Sequence, residues 1–159
     1  MVKLAASLDD LLLLDEEPAG DRDRAVRAIL DRLAERGAFD PTLVPVLHEA
    51  VIRRDELGPT GIGEGVAIPH AWHAGLDRLV AALGVSRCGI AYPSLDGAPV
   101  HLVLLVLMPP SKAFEPAKEA TFDVWLRHLR EPAFRAGLIR AASSEELREV
   151  LRRADADAP

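Results

Sequence analysis

Only one cysteine, Cys88, stands in the 159 residues, so no disulfide can close within the chain and a reducing compartment is its natural setting. Aromatic residues are scarce at 4 % and are not interleaved with Lys and Arg, and the 19 basic residues are outnumbered by 25 acidic ones, for a net charge of -6. Without a basic stripe the chain lacks the electrostatic footprint of a nucleic-acid binder, which leaves a protein partner or a small anion. Long hydrophobic runs are missing too. Leu102 to Met108, the longest in the second half, is far too short to cross a bilayer, and Asp9 and Asp10 stand where a secretory signal would be apolar. No repeat or low-complexity segment is present. These shortages predict a cytoplasmic protein without membrane insertion. The 49 % hydrophobic content suffices for the core of one ordinary domain.

The pattern along the chain is mixed. Leu11 to Leu14 reads as a short strand, and Asp21 offers an N-cap for a helix whose apolar face is Ala25, Val26, Ile29, Leu30, Leu33 and Ala34, stopped by Gly37. A second helix is expected from about Asp40 to Thr42 as far as Arg54 or Asp55, with Pro45 delaying its regular part. Val66 to Ile68, Leu79 to Val85 and Gly89 to Ala91 are strand-like, with a turn at Asp96-Gly97. Val100 to Met108, apolar except for His101 and closed by Pro109-Pro110, fits a strand buried on both faces. Three helices follow: Glu115 to Arg130, Pro132 to Arg140, and one opened by the capping box of Ser143 with Glu146. The class is α/β: a single domain with a mixed, mostly buried sheet flanked by helices on both faces, spanning residues 1–153, followed by a disordered tail over 154–159.

Chemistry concentrates in Arg54 to Ala71. Gly61, Gly63 and Gly65 allow positive φ and close approach to a ligand. Pro69 restricts its own φ and extends Ile68, so His70 leaves the strand end in a fixed direction. A neutral imidazole there, beside glycine-freed amides and an arginine, suits phosphoryl transfer, in which the protein positions a nucleophile and stabilises charge on the equatorial oxygens. The bland alternatives are a histidine packed at a strand end, glycines that only shape a loop, and an Arg54 that only neutralises a helix terminus. The glycine spacing is no nucleotide fingerprint. His70 and His73 form an H-x-x-H, but further ligands at metal spacing are missing. Trp125 fits the core, whereas Trp72 is expected to be exposed and able to anchor a partner.

Glu56-Leu57-Gly58-Pro59-Thr60-Gly61-Ile62-Gly63-Glu64-Gly65-Val66-Ala67-Ile68-Pro69-His70-Ala71 closely resembles the active-site signature of the type 2 IIA proteins of the bacterial phosphoenolpyruvate-dependent sugar phosphotransferase system, the fructose, mannitol and nitrogen-regulatory group. Gly97 to Val103 and Ala141 to Leu147 extend the resemblance more loosely over most of the chain. It implies that His70 accepts a phosphoryl group from an HPr-like phosphocarrier and passes it to a IIB component or uses it to regulate a partner. It also implies that Arg54 supports the phosphorylated state, with Thr60, Gly61, Gly63, Gly65, Ala71 and His101 as further phosphate-supporting candidates. No cofactor or metal is required. His101 has two readings: a hydrogen bond to the loop carrying His70, or a satisfied buried histidine. The family's second histidine is absent, and counting back from Leu129 puts the vacant place around Lys118, which supplies charge but cannot share a proton as imidazole does. The rival reading is therefore a regulatory module of the same fold that signals by protein contact. Small-anion binding without transfer is a third.

Overall fold

The computed structural model describes residues 2–16 and 20–159. Its elements, in order, are β1 (Asp10–Leu13), α1 (Arg22–Glu35), α2 (Val44–Leu57), β2 (Gly61–Gly63), β3 (Val66–Ala67), β4 (His70–Trp72), β5 (Val80–Ile90), β6 (Val100–Met108), α3 (Glu115–Leu129), α4 (Pro132–Arg140) and α5 (Ser144–Asp157). The strands form one mixed sheet in the order β1-β5-β6-β3-β2, with β4 also on β6. β1 lies parallel to β5, β5 and β6 are antiparallel, and β3 and β4 both run parallel to β6.

β6 is the axis of the molecule because its residues are apolar in both side-chain phases. Val103, Leu105 and Leu107 join the core beneath α1 and α2, while Leu102, Leu104, Val106 and Met108 join the core beneath α3, α4 and α5. Each helix contributes one apolar stripe to its face, as the 3.6-residue period predicts. Asp21 caps α1 by accepting from the Arg24 N–H, and Ser143 caps α5 by accepting from the Glu146 N–H. Glu146 completes the box one residue early, on the Ala142 N–H.

Several elements differ from their sequence reading. Gly61–Gly63 and His70–Trp72 are strands, not loop. Gly89 and Ile90 are the far end of β5, rejoined to β6 after a register break between Val85 and Ile90. Gly89 has φ +89° and donates its N–H to Ser86 Oγ, so the break is a local bulge and not a chain reversal. The second helix opens where expected, with a 3-10 turn over Pro41–Leu43 capped by Asp40, but its regular part starts at Val44 and not after Pro45, which lies in the first turn where its missing N–H costs nothing. The tail expected from Ala154 is instead helical through Asp157. Asp155 accepts from the N–H groups of Leu4 and Ala5, at 2.8 and 3.2 Å, which gives that last turn a tertiary partner.

Gly61 illustrates a glycine required by space. A Cβ there would stand 2.8 Å from Ser94 Cα and Cβ and closer still to the Pro93 carbonyl oxygen. Gly61→Ala must therefore push two backbone segments apart, and a loss of about 1–3 kcal/mol is expected in urea unfolding. An unchanged midpoint would show that the Pro93-Ser94 loop yields freely.

Candidate phosphoryl-transfer site

The site is built where the outer edge of the sheet changes. β3 and β4 occupy the same side of β6 in succession, but β2 covers only β3, so the edge beyond Ile68 is open. The Ile68 N–H still points outward, to the Thr60 carbonyl at 2.9 Å. Strand alternation then turns the N–H groups of His70 and Trp72 to the same open side, and the Ala71 N–H inward to β6.

His70 is half-buried on the α3 face. Its Nδ1 lies 2.9 Å from the Ile68 carbonyl oxygen. A carbonyl can only accept, so Nδ1 carries the proton and Nε2 keeps its lone pair. The ring meets Trp72 edge-on at 5.6 Å between centroids and Phe122 of α3 at 5.9 Å. Burial lowers its pKa below the ordinary histidine value. The Ile68 hydrogen bond opposes this, and the charges of Arg54 and Lys118 add to it. The imidazole is thus held neutral between two cations.

Those cations arrive from opposite faces of the sheet. Arg54, in the last turn of α2, donates to the Gly58 carbonyl at 3.1 Å. Lys118, in α3, pairs with Glu115 at 2.7 Å and stands 5.7 Å over the Trp72 ring. Trp72 is 41 % exposed. The fold therefore brings together His70, Arg54, Trp72 and Lys118.

The other expected phosphate contacts lie elsewhere, for identifiable reasons. Gly63 and Gly65, with φ of +95° and +75°, flank Glu64 in the turn between β2 and β3. That turn sits beside His101, whose N–H donates to the Gly65 carbonyl at 2.8 Å. Val106, the neighbour of His70, is five residues further along β6, on the order of 15 Å at the rise of a strand. The His101 ring is bonded to the Ser86 carbonyl at 2.9 Å and packs between Gly65 and Gly89, the satisfied alternative of its two readings. Gly61 is closed off by Pro93 and Ser94, and Ala71 is a buried ladder residue. Thr60 is buried, and both its N–H and its hydroxyl donate to Asp55. His73 Nδ1 accepts from the Gly75 N–H, and among the described residues no group of three or more His, Cys, Asp or Glu could hold a metal ion.

Sequence reading missed what holds Arg54 in place. Asp55, its neighbour, is buried and bonded to Arg22 at 2.8 Å and to the Thr60 N–H at 2.9 Å, while Thr60 meets the Tyr92 hydroxyl at 3.0 Å. Burial pushes the Tyr92 phenol well above its usual range, so it stays neutral. This network ties the start of α1, the end of α2 and the chain after β5 to the segment leading into β2. Arg22 and Asp55 are 33 residues apart, and no local pattern links them. The edge N–H groups of His70 and Trp72, and the aromatic face of Phe122, were missed as well. The alternation of a strand carrying His70 is the signal that would have found the amides.

Known proteins resemble the chain over most of its length. The family model described as phosphoenolpyruvate-dependent sugar phosphotransferase system, EIIA 2, matches residues 8–154. The nitrogen regulatory protein of Pseudomonas aeruginosa is 32 % identical over 151 residues, 94 % of this chain and 89 % of that one. The fructose-specific EIIABC component of Bacillus subtilis is 48 % identical over 58 residues, which cover 36 % of this chain and 9 % of that much longer protein. The crystal structure of nitrogen regulatory protein IIA-Ntr from Neisseria meningitidis superposes with a TM-score of 0.75 at 26 % identity, covering 93 % of this chain and 98 % of that one. The histidine-bearing edge strand, its sheet and the length of these matches lead to one conclusion: the chain belongs to the type 2 EIIA family of the phosphoenolpyruvate-dependent sugar phosphotransferase system.

Proposed function

We propose that the protein is a cytoplasmic phosphocarrier that accepts a phosphoryl group on His70 Nε2 from an HPr-like phosphohistidine donor. It then passes the group to a IIB component or uses it to regulate a partner. The observation supporting this most directly is the Nδ1 contact to the Ile68 carbonyl, which leaves Nε2 as the free nucleophile between two cations. In the step, the Nε2 lone pair forms the new N–P bond as the donor N–P bond breaks, and the electron pair returns to the donor imidazole. The Nδ1 proton stays on His70, held by Ile68, while Arg54 and Lys118 stabilise charge on the phosphoryl oxygens. The N–H groups of His70 and Trp72, on the same open edge, are available as backbone donors.

Regulation of a partner is the second reading, and Lys118 favours it. A fixed cation beside His70 stabilises the phosphorylated state without offering the second imidazole that onward transfer would use. The full-length nitrogen regulatory relative supports the same direction. The test is intact-mass analysis after incubation with phosphoenolpyruvate, enzyme I and HPr. An acid-labile adduct is expected, and its absence with a cognate donor set would overturn the carrier reading. Adding a IIB protein then separates transfer from regulation by whether the adduct is discharged.

The pH dependence follows from the lowered pKa of His70. A free imidazole loses nucleophilicity as pH falls through about 6.5, but His70 stays neutral below that value, so the acceptance rate should hold and fall only at lower pH. Lys118→Ala should move the inflection upward. Stability changes with the same sign. Between the folded pKa and about 6.5 the unfolded chain binds the additional proton, so His70 weakens folding as pH drops through that window and has no effect above it. An acceptance profile with its midpoint at or above the free-imidazole value would contradict the assigned burial and charge.

A further inference from the structure

A second concave site lies away from His70, between the β2–β3 turn and the junction of α3 and α4. It is a cleft of about 430 Å³, within the range of small-molecule sites. Ile62, Val66, Leu126 and Leu129 give it an apolar wall, and Arg130 and Arg135 stand at its rim. One nitrogen of Arg135 donates to the Leu129 carbonyl at 2.6 Å, while the other faces the Glu64 carboxylate at 3.4 Å. The two partners are unequal. The Arg135 side chain is 13 % exposed and Glu64 is 78 % exposed, so a largely desolvated cation is met by one long, solvated contact. Arg135 is geometrically ready for a better anion than it has.

Glu64 itself is out of keeping with its backbone. It has φ +57°, followed by Gly65 at +75°, and two consecutive positive φ values in a two-residue turn favour Asn-Gly. It is the one non-glycine residue with positive φ among those described. A non-glycine residue in this conformation at the edge of a cleft points to a role for its side chain, and that side chain lies on the cleft's arginine. We propose that the cleft binds a small amphiphilic carboxylate. Its apolar part lies on Ile62, Val66, Leu126 and Leu129 and its carboxylate takes the forked face of Arg135, displacing Glu64, which occupies the place as an internal stand-in. The carboxylate class follows from the planar, two-donor geometry of guanidinium and from the group already there. The proposal does not rest on His70 phosphorylation.

The test is a nuclear magnetic resonance titration of the full labelled chain with 4-phenylbutyrate and its neutral amide, 4-phenylbutyramide. Saturable shifts confined to Ile62, Val66, Leu126, Leu129 and Arg135 are expected with the acid and not with the amide. Glu64→Gln, an exposed and nearly isosteric change that removes the competitor, should tighten binding about tenfold, and Arg135→Lys should weaken it by a similar factor. Shifts that fail to saturate, equal binding of acid and amide, or no gain in Glu64→Gln would overturn the proposal. Saturation by the acidic peptide acetyl-Leu-Glu-Leu-amide but not by 4-phenylbutyrate would overturn it in favour of a protein side chain as the occupant.

Discussion

His70→Ala is expected to abolish the acid-labile adduct formed with phosphorylated HPr, with the fold intact by circular dichroism. The loss should be complete because the other histidines differ in setting. His48 Nε2 is bonded to the Asp23 carbonyl, His73 Nδ1 accepts from the Gly75 N–H, and the His101 ring is tied to the Ser86 carbonyl behind Gly65 and Gly89. His128 packs on Phe134 at 5.4 Å between ring centroids. Only His70 joins a proton-bearing Nδ1 on a carbonyl to two flanking cations at an open sheet edge. The stability effect should be small, since the ring is half-buried and its aromatic neighbours Trp72 and Phe122 are themselves partly exposed. Intact mass and peptide mapping are the measurements, and an adduct that persists in the variant would refute the assignment of the nucleophile.

Asp55→Ala should be the most destabilising single change in the site, at about 3–5 kcal/mol, because it breaks a buried ion pair on one side only. The Asp55 side chain is fully inaccessible, and Arg22 is 17 % exposed. Its removal leaves the Arg22 guanidinium with Asp23 alone and strips the Thr60 N–H and hydroxyl of their acceptor. For a domain of this size each kcal/mol lowers Tm by about 2–4 °C, so a drop of roughly 6–20 °C is expected. Asp55→Asn, which keeps one acceptor oxygen for Thr60, should fall between the two. Thermal and urea unfolding check both. A loss below about 1 kcal/mol for Asp55→Ala would mean that water replaces the carboxylate and that the network does not fix the end of α2. Phosphoryl acceptance should also fall in the folded fraction, since Arg54 is carried on that helix end.

Where sequence reading succeeded, the information was local. The five α-helices were legible from local signals: apolar stripes for α1 and α3, proline placement for α2 and α4, and a capping box for α5, with Asp21 and Ser143 read directly as cap residues. β6 was legible because both of its phases are apolar over only nine residues closed by Pro109-Pro110, a length and ending that suit a strand covered on both faces. His70 was legible because proline, glycine and an apolar run surround it in a long, specific signature. Short elements failed this test. β2 and β4 are each three residues long, too brief for any period to register, and they exist because a neighbouring strand offers a template, β3 for β2 and β6 for β4.

The sequence by itself thus determined the class of fold, the central strand and the helices, and it singled out His70 and Arg54 as candidates, with Lys118 as the residue at the vacant histidine's place. The tertiary structure alone decided which His70 ring nitrogen is hydrogen-bonded, which amides share its sheet edge, and which of the expected contacts lie far from it. The last of these depends on strand register: Gly65 meets β6 at His101 whereas His70 meets it at Val106, and no spacing along the chain reveals that the glycines and the histidine of one signature lie toward opposite ends of a strand. The Arg22–Asp55–Thr60–Tyr92 network was likewise invisible beforehand, because hydrogen bonds and ion pairs are decided by distance in space, and its four members come from separate elements that only the folded sheet brings into contact.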